Sequence, residues 1–378
     1  MKLLYVVPSL RFFSEGYRGR VMHALGICEG YSELGWDVTI VGGEGIDSFS
    51  NDIPSSVKIV TVKEPRGVFK TLIWDVSLLF TFRRLTLETE FDHVMFRYVV
   101  SSIFFNLGAF LLKKKNSKFI LEVNSFAFHM FFQSSMFLNK IVSCFDILRT
   151  YLFDVIYVVS DKMANDDRIA SIRDKVISIP NGATSKELTF GSSKSDIKRI
   201  VYLGTLMPYW DFKFACDFLI ELLKCSPVEV HFFGDGPCKS YIKNRLKNKE
   251  RCFFYGAFDR NDLCDLLYSN TDILFLPSKT EQDFILSGGL STKLFDYLSY
   301  GLPIIAPQQG EVCSVLRDGF NCIEYSIQDF SAVEKVSKLI QSEDHLYNIS
   351  VNSRSDFLAF YSWRSRMEKL IGQCNDKK

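Results

Sequence analysis

The stretch Ser287-Gly288-Gly289-Leu290-Ser291-Thr292-Lys293-Leu294-Phe295-Asp296-Tyr297-Leu298-Ser299-Tyr300-Gly301-Leu302-Pro303 decides how this chain reads. A Gly-Gly turn runs into a helix that Ser291 is placed to cap, and Gly301 and Pro303 close it. The apolar Ile304-Ile305-Ala306 then reads as a short buried strand. Glycines ahead of a helix leave backbone N–H groups pointing outward, an arrangement that binds phosphate. Lys293 and Asp296, three positions apart, share one helix face. A carboxylate one turn into the helix can accept hydrogen bonds from sugar hydroxyls, so the segment reads as a nucleotide-sugar site. The plainer account is a surface Lys–Asp pair.

The same strand-and-helix alternation extends both ways. Leu3–Pro8, Asp37–Val41, Lys58–Val62, His93–Arg97, Lys118–Val123 and Val155–Val159 read as strands with helix-length stretches between most of them. Ile179-Pro180-Asn181-Gly182 is turn chemistry, and Thr184 to Ser195 is polar and linker-like. A second series follows: Arg199–Leu203, Val228–Phe233, Cys252–Tyr255, Ile273–Leu276, Pro303–Ala306 and Cys322–Tyr325. Such alternation predicts α/β architecture with parallel sheets. The expectation is two doubly wound Rossmann-like domains facing a cleft, over 1–185 and 196–355. A helical tail, 356–378, is expected to return to the first domain.

Composition narrows the function classes. The chain has 378 residues, 47% apolar, and a net charge of +1, which argues against a nucleic-acid binder driven by bulk charge. Its 10 cysteines are scattered singly, so neither a zinc site nor a disulfide framework is expected, and the compartment reads as reducing and cytoplasmic. No Asp-x-Asp or histidine cluster suggests a metal. The N-terminus is too short and strand-like for a signal peptide. Val94 to Leu112, ahead of Lys113-Lys114-Lys115, reads as a strand and an amphipathic helix rather than a span. The 35 phenylalanines gather around Phe104-Phe105, Phe110 and Phe126 to Phe137. They either pack a core or form a surface that rests on a bilayer beside basic residues.

Several loops carry candidate chemistry. The first follows strand one, where Gly16 and Gly19 permit close backbone approach and Arg18 and Arg20 either hold phosphate or face solvent. Arg97 and Glu122 end neighbouring strands, as a ligand-facing pair or a structural ion pair. His129, between Phe128 and Met130, reads as packing. After the second series opens, Gly204 and Thr205 offer donors to a diphosphate, with Lys213 one helix entry later. Phe233-Gly234-Asp235-Gly236-Pro237 is a turn on its own evidence. Gly310 permits close approach near Glu311, which either meets a donor sugar or caps the next helix.

These pieces, in this order, resemble the retaining GT-B glycosyltransferases of family four, above all those that build bacterial surface polysaccharides such as lipopolysaccharide. The carrying residues are Ile179-Pro180-Asn181-Gly182, Tyr202-Leu203-Gly204, Phe233-Gly234-Asp235-Gly236-Pro237, Phe254-Tyr255-Gly256, Leu276-Pro277-Ser278, Thr292 to Leu298 with Gly301-Leu302-Pro303, and Ser362-Trp363. Leu121-Glu122-Val123-Asn124 is similar to a segment of some members. The resemblance implies sugar transfer from a nucleotide-diphosphate sugar to an acceptor hydroxyl with retention, without cofactor or metal. It implies donor contacts from Gly16, Gly204, Thr205, Lys213, Gly288, Gly289, Thr292, Lys293, Asp296, Gly310 and Glu311. Catalytic candidates are Glu122, Arg97, Lys293 and Asp296. The acceptor is expected to be a glycan or lipid-linked, with a peripheral contact on the inner membrane. The chain departs from the family's Glu-x7-Glu: Asp296 stands at the second position and Gly288 at the first. Met207 to Lys213 also lacks the usual Arg and Lys-Gly. A nucleotide-sugar epimerase and a non-catalytic nucleotide-sugar-binding partner are the alternatives.

Overall fold

The computed structural model describes residues 1–14, 19–130, 135–185, 189–247, 249–259, 262–281, 290–327 and 329–376, without the side chains of 129 and 130. The chain forms two compact units: Met1–Thr184 with Ser362–Lys378, and Ser185–Tyr361.

The first unit holds a seven-stranded parallel sheet of β1 (Lys2–Val6), β2 (Asp37–Gly42), β3 (Lys58–Thr61), β4 (His93–Arg97), β5 (Lys118–Val123), β6 (Val155–Val158) and β7 (Val176–Ser178). Their order is β3-β2-β1-β4-β5-β6-β7, so the winding reverses between β1 and β4. Strand β7 adds to the six expected from sequence; at three residues, running into Ile179-Pro180, it is too short to show a period. The central strands are apolar on both faces because each face is covered by helices, the usual state of a parallel sheet. One face packs the core of Tyr5, Ile27 and Trp363, and the other the core of Val6, Phe82 and Phe105.

Two glycines shape one close contact on the first face. Gly26 and Gly30 lie one turn apart on the helix Gly19–Glu33, leaving a shallow flat. The indole of Trp363, opening the helix Trp363–Asp376, lies on Gly26, and the Trp363 carbonyl with the Met367 side chain covers Gly30; a Cβ at Gly26 would overlap the ring.

The second unit repeats the plan with β8 (Arg199–Leu203), β9 (Glu229–Phe233), β10 (Cys252–Gly256), β11 (Asp272–Phe275), β12 (Ile304–Pro307) and β13 (Ile323–Tyr325). The order β10-β9-β8-β11-β12-β13 reverses between β8 and β11. In each sheet the loops at the carboxyl ends beside the reversal are where such folds bind ligands.

Candidate functional site

In the second unit, the loops after β8 and β9 are stitched together. The Gly204 N–H donates to the Phe233 carbonyl at 2.8 Å, and the Leu206 N–H to that of Asp235 at 2.9 Å. The Gly204 amide is therefore taken, contrary to the expectation that it serves a phosphate. Close approach demands glycine here: Gly204 has φ +123° and Gly234 φ +157°, and a Cβ on Gly234 would overlap the Gly204 carbonyl. Thr205 is exposed beside them.

Ahead of the helix Thr292–Tyr300, Gly288 and Gly289 lie outside the described residues, as do Gly16 and Arg18. Ser291 occupies the N-cap position, but its hydroxyl makes no capping bond and is buried without a hydrogen-bond partner. Lys293, in the first turn, donates to the Leu203 carbonyl, and its ammonium lies 4.4 Å from the Tyr202 ring centre. It is thus fixed at the carboxyl end of β8 rather than swinging in solvent. Thr292 and Asp296 are half-buried on the same helix.

Neighbouring loops add a cation that sequence reading missed. Gln309, after β12, clasps the backbone of Lys279, accepting from its N–H at 2.8 Å and donating to its carbonyl at 3.1 Å. The Lys279 ammonium sits 4.2 Å from the Tyr209 ring centre and 4.8 Å from that of Trp210. Lys213 is exposed in the first turn of Phe212–Cys225, a helix already capped by Asp211, which accepts from the Phe214 N–H at 3.0 Å. Gly310 is exposed with φ +52°. Glu311 is half-buried, and its side chain makes no capping bond to Val312–Val315.

The first unit brings Arg97 and Glu122 together as register partners on β4 and β5. Glu122 is 0% exposed and surrounded by donors. Arg97 Nη1 lies 2.7 Å from Oε1, Asn124 Nδ2 2.5 Å from the same oxygen, and the Tyr5 hydroxyl donates to Oε2. His23 Nε2 is within ion-pair distance at 3.0 Å, off the line of a hydrogen bond, while its Nδ1 is 2.6 Å from Asn181 Oδ1. Burial alone would raise the Glu122 pKa. Arg97, His23 and the Tyr5 hydroxyl overcome it and bring the carboxyl down to about 2. Burial, and then the neighbouring carboxylate, push Tyr5 well up, so it keeps its proton. A carboxylate this saturated orients its neighbours and is poorly placed to exchange protons. The Phe12 ring faces the Arg97 guanidinium at 4.9 Å.

Tyr5 and His23 were not singled out by sequence, and Asn181 was read as part of a turn rather than as a partner of His23. The available signal was a histidine within the otherwise apolar run Val21 to Ile27. Among the described residues, no group of three or more His, Cys, Asp or Glu is placed to hold a metal.

Residues 197–342 match the family model described as Glycosyl transferases group 1. This match supports glycosyl transfer. In structure the chain is similar to HepE of Anabaena in complex with UDP, at a TM-score of 0.70 and 13% identity over 100% of both chains. It is similar to a TarM variant of S. aureus in complex with fondaparinux, α-GlcNAc-glycerol and UDP, at 0.66 and 10% over 99% of each. The lipopolysaccharide outer core galactosyltransferase WaaB is similar at 0.64 and 14%, again over 99% of each. The two Rossmann-like units have the GT-B glycosyltransferase fold. No curated protein matches the chain by sequence.

Proposed function

We propose that this protein transfers a sugar from a nucleotide-diphosphate sugar to an acceptor hydroxyl, with retention at the anomeric carbon, in the assembly of a surface polysaccharide. The match of residues 197–342 to group 1 glycosyl transferases carries this reading. That similar structures hold UDP or UDP-glucose supports a nucleotide-sugar donor.

The donor binds the second unit. Asp296 accepts from the ribose hydroxyls, while Lys293, with the Gly288 and Gly289 amides, Thr205 and Lys213, meets the diphosphate. Gly310 and Glu311 face the donor sugar. Lys279 is a further cation at these strand ends. The acceptor, a glycan or lipid-linked, binds the first unit near Arg97, whose guanidinium Glu122 holds in place. Rate enhancement comes from positioning and from stabilising the leaving diphosphate, and needs no protein nucleophile, metal or cofactor.

Calorimetry with UDP, GDP and their sugars tests the reading, followed by product analysis with acceptor. Binding of one nucleotide family, and an acceptor product with unchanged anomeric configuration, is the expected result. No binding of any nucleotide refutes enzyme action on such donors, and an inverted product refutes retention.

A further inference from the structure

Three helices of the first unit are apolar on the wrong side for a protein surrounded by water. Lys70–Glu88, Ile103–Leu111 and Met136–Thr150 cover the same face of the sheet, through Trp74 and Phe82, Phe105 and Ala109, and Val142 and Ile147 respectively. The first two pack directly together, Gly108 lying against Leu79. Their outward sides therefore belong to one layer.

Met136–Thr150 shows the inversion most plainly. It turns Ser143, Asp146 and Arg149 inward, at 8%, 3% and 5% exposure, and presents Phe137, Ile141, Phe145 and Leu148 outward, at 72%, 39%, 59% and 57%. The outward four recur at helical spacing. A helix facing water places its apolar stripe toward the core and its charges outside. The inward polar groups are used: Asp146 accepts from the Tyr98 hydroxyl at 2.5 Å and the Ala127 N–H at 2.8 Å, and Arg149 donates to the carbonyls of Val99 and Val100. Lys70–Glu88 likewise buries Asp75 and exposes the stripe Ile73, Val76, Phe80 and Leu87. Ile103–Leu111 buries Asn106 and exposes Phe104, Leu107 and Leu111.

Charge identifies the occupant. Lys70, Arg83, Arg84 and Lys140 are exposed on these helices, and Lys115 follows the second. Among the described residues, Glu88 is the only exposed acidic side chain on the three helices. An apolar face interleaved with cations fits phospholipid acyl chains beneath anionic headgroups. A water-exposed patch of this extent marks an interaction surface. No described helix is long and apolar enough to cross a membrane, so the contact is one of lying on it.

We propose that the outer face of this three-helix layer docks on an anionic lipid bilayer. The inference stands on the first unit alone and does not depend on the sugar-transfer reading.

The test is co-sedimentation of the full chain with vesicles of phosphatidylcholine, and of phosphatidylcholine mixed with phosphatidylglycerol. Binding should favour the anionic vesicles and weaken as salt rises. Phe80→Ser with Phe145→Ser should weaken it roughly tenfold or more, with an unchanged thermal midpoint, since both side chains are exposed. Arg83→Glu with Arg84→Glu should weaken it at least about tenfold, on anionic vesicles only. Absence of binding to either vesicle, or variants that bind like the parent, would overturn the proposal. So would a dimer in sedimentation velocity that the Phe80 and Phe145 changes dissociate, because the face would then serve a second copy. A chain that turns over donor while ignoring vesicles would refute docking and leave the catalytic reading standing.

Discussion

Replacing Glu122 by glutamine tests the buried network of the first unit. The substitution keeps the shape and removes the charge opposite Arg97, which is itself buried. Breaking a buried pair by neutralising one partner costs about 3–5 kcal/mol. At about 2–4 °C per kcal/mol for a unit of this size, the melting midpoint should fall by the order of 10 °C. A second signature lies in pH. Folding lowers the Glu122 pKa from 4.5 to about 2. Its contribution, about 3 kcal/mol, is therefore complete above the unfolded value and is lost as the pH falls through 4.5 toward about 2. Scanning calorimetry at stepped pH should show the parent losing stability faster in that window than Glu122→Gln does. Adding Arg97→Met to Glu122→Gln removes the stranded cation and should recover part of the loss. If Glu122→Gln melts with the parent and keeps the same acid slope, the carboxylate is not held as described and the argument fails.

Gly26→Ala sets a Cβ into the Trp363 indole and should cost several kcal/mol, of order an overpacked core site; limited proteolysis should then release the last helix early, and an intact tail would contradict the packing. Gly234→Ala drives a Cβ into the Gly204 carbonyl at a positive φ, so nucleotide affinity should drop by roughly tenfold or more in calorimetry, with about 1–3 kcal/mol of lost stability. Asp296→Ala should weaken nucleotide binding about tenfold while leaving the melting midpoint near the parent's; unchanged affinity would remove its ribose assignment. Gln309→Ala opens both bonds to the Lys279 backbone and should cost about 1–2 kcal/mol, read by denaturant titration.

Much of the fold was legible because parallel strands buried on both faces read as short apolar runs between helix-length segments. Val176–Ser178 escaped because three residues carry no period. The pairing of Arg97 with Glu122 was legible as one of two readings, since both residues end neighbouring strands. Its completion by Tyr5, His23 and Asn181 was not, because those residues come from distant parts of the chain and meet only once the sheet has formed. The Gly204 amide looked available for the same reason: Phe233, which takes it, arrives from the next strand. The phenylalanines show the limit of periodicity. Composition offered a packed core or a surface resting on a bilayer, and the chain divides its phenylalanines: Phe105, Phe126 and Phe128 are buried, while Phe104, Phe110 and Phe137 are exposed. A stripe at helical spacing says that one side is apolar, and only the packing of Asp146 and Arg149 says that this side faces out.

The Trp363 contact also fixes an order of events during synthesis. The first unit begins at Met1, yet a wall of its core is supplied by Trp363, Met367 and Leu370, after all of Ser185–Tyr361 has been made. Gly26 and Gly30 therefore emerge from the ribosome facing an unfilled slot. The inserted unit, whose strands β8 to β13 are contiguous in the chain, is complete before that slot can close. The half that starts first is thus expected to finish last, and in the interval its open seam is the surface a chaperone would guard.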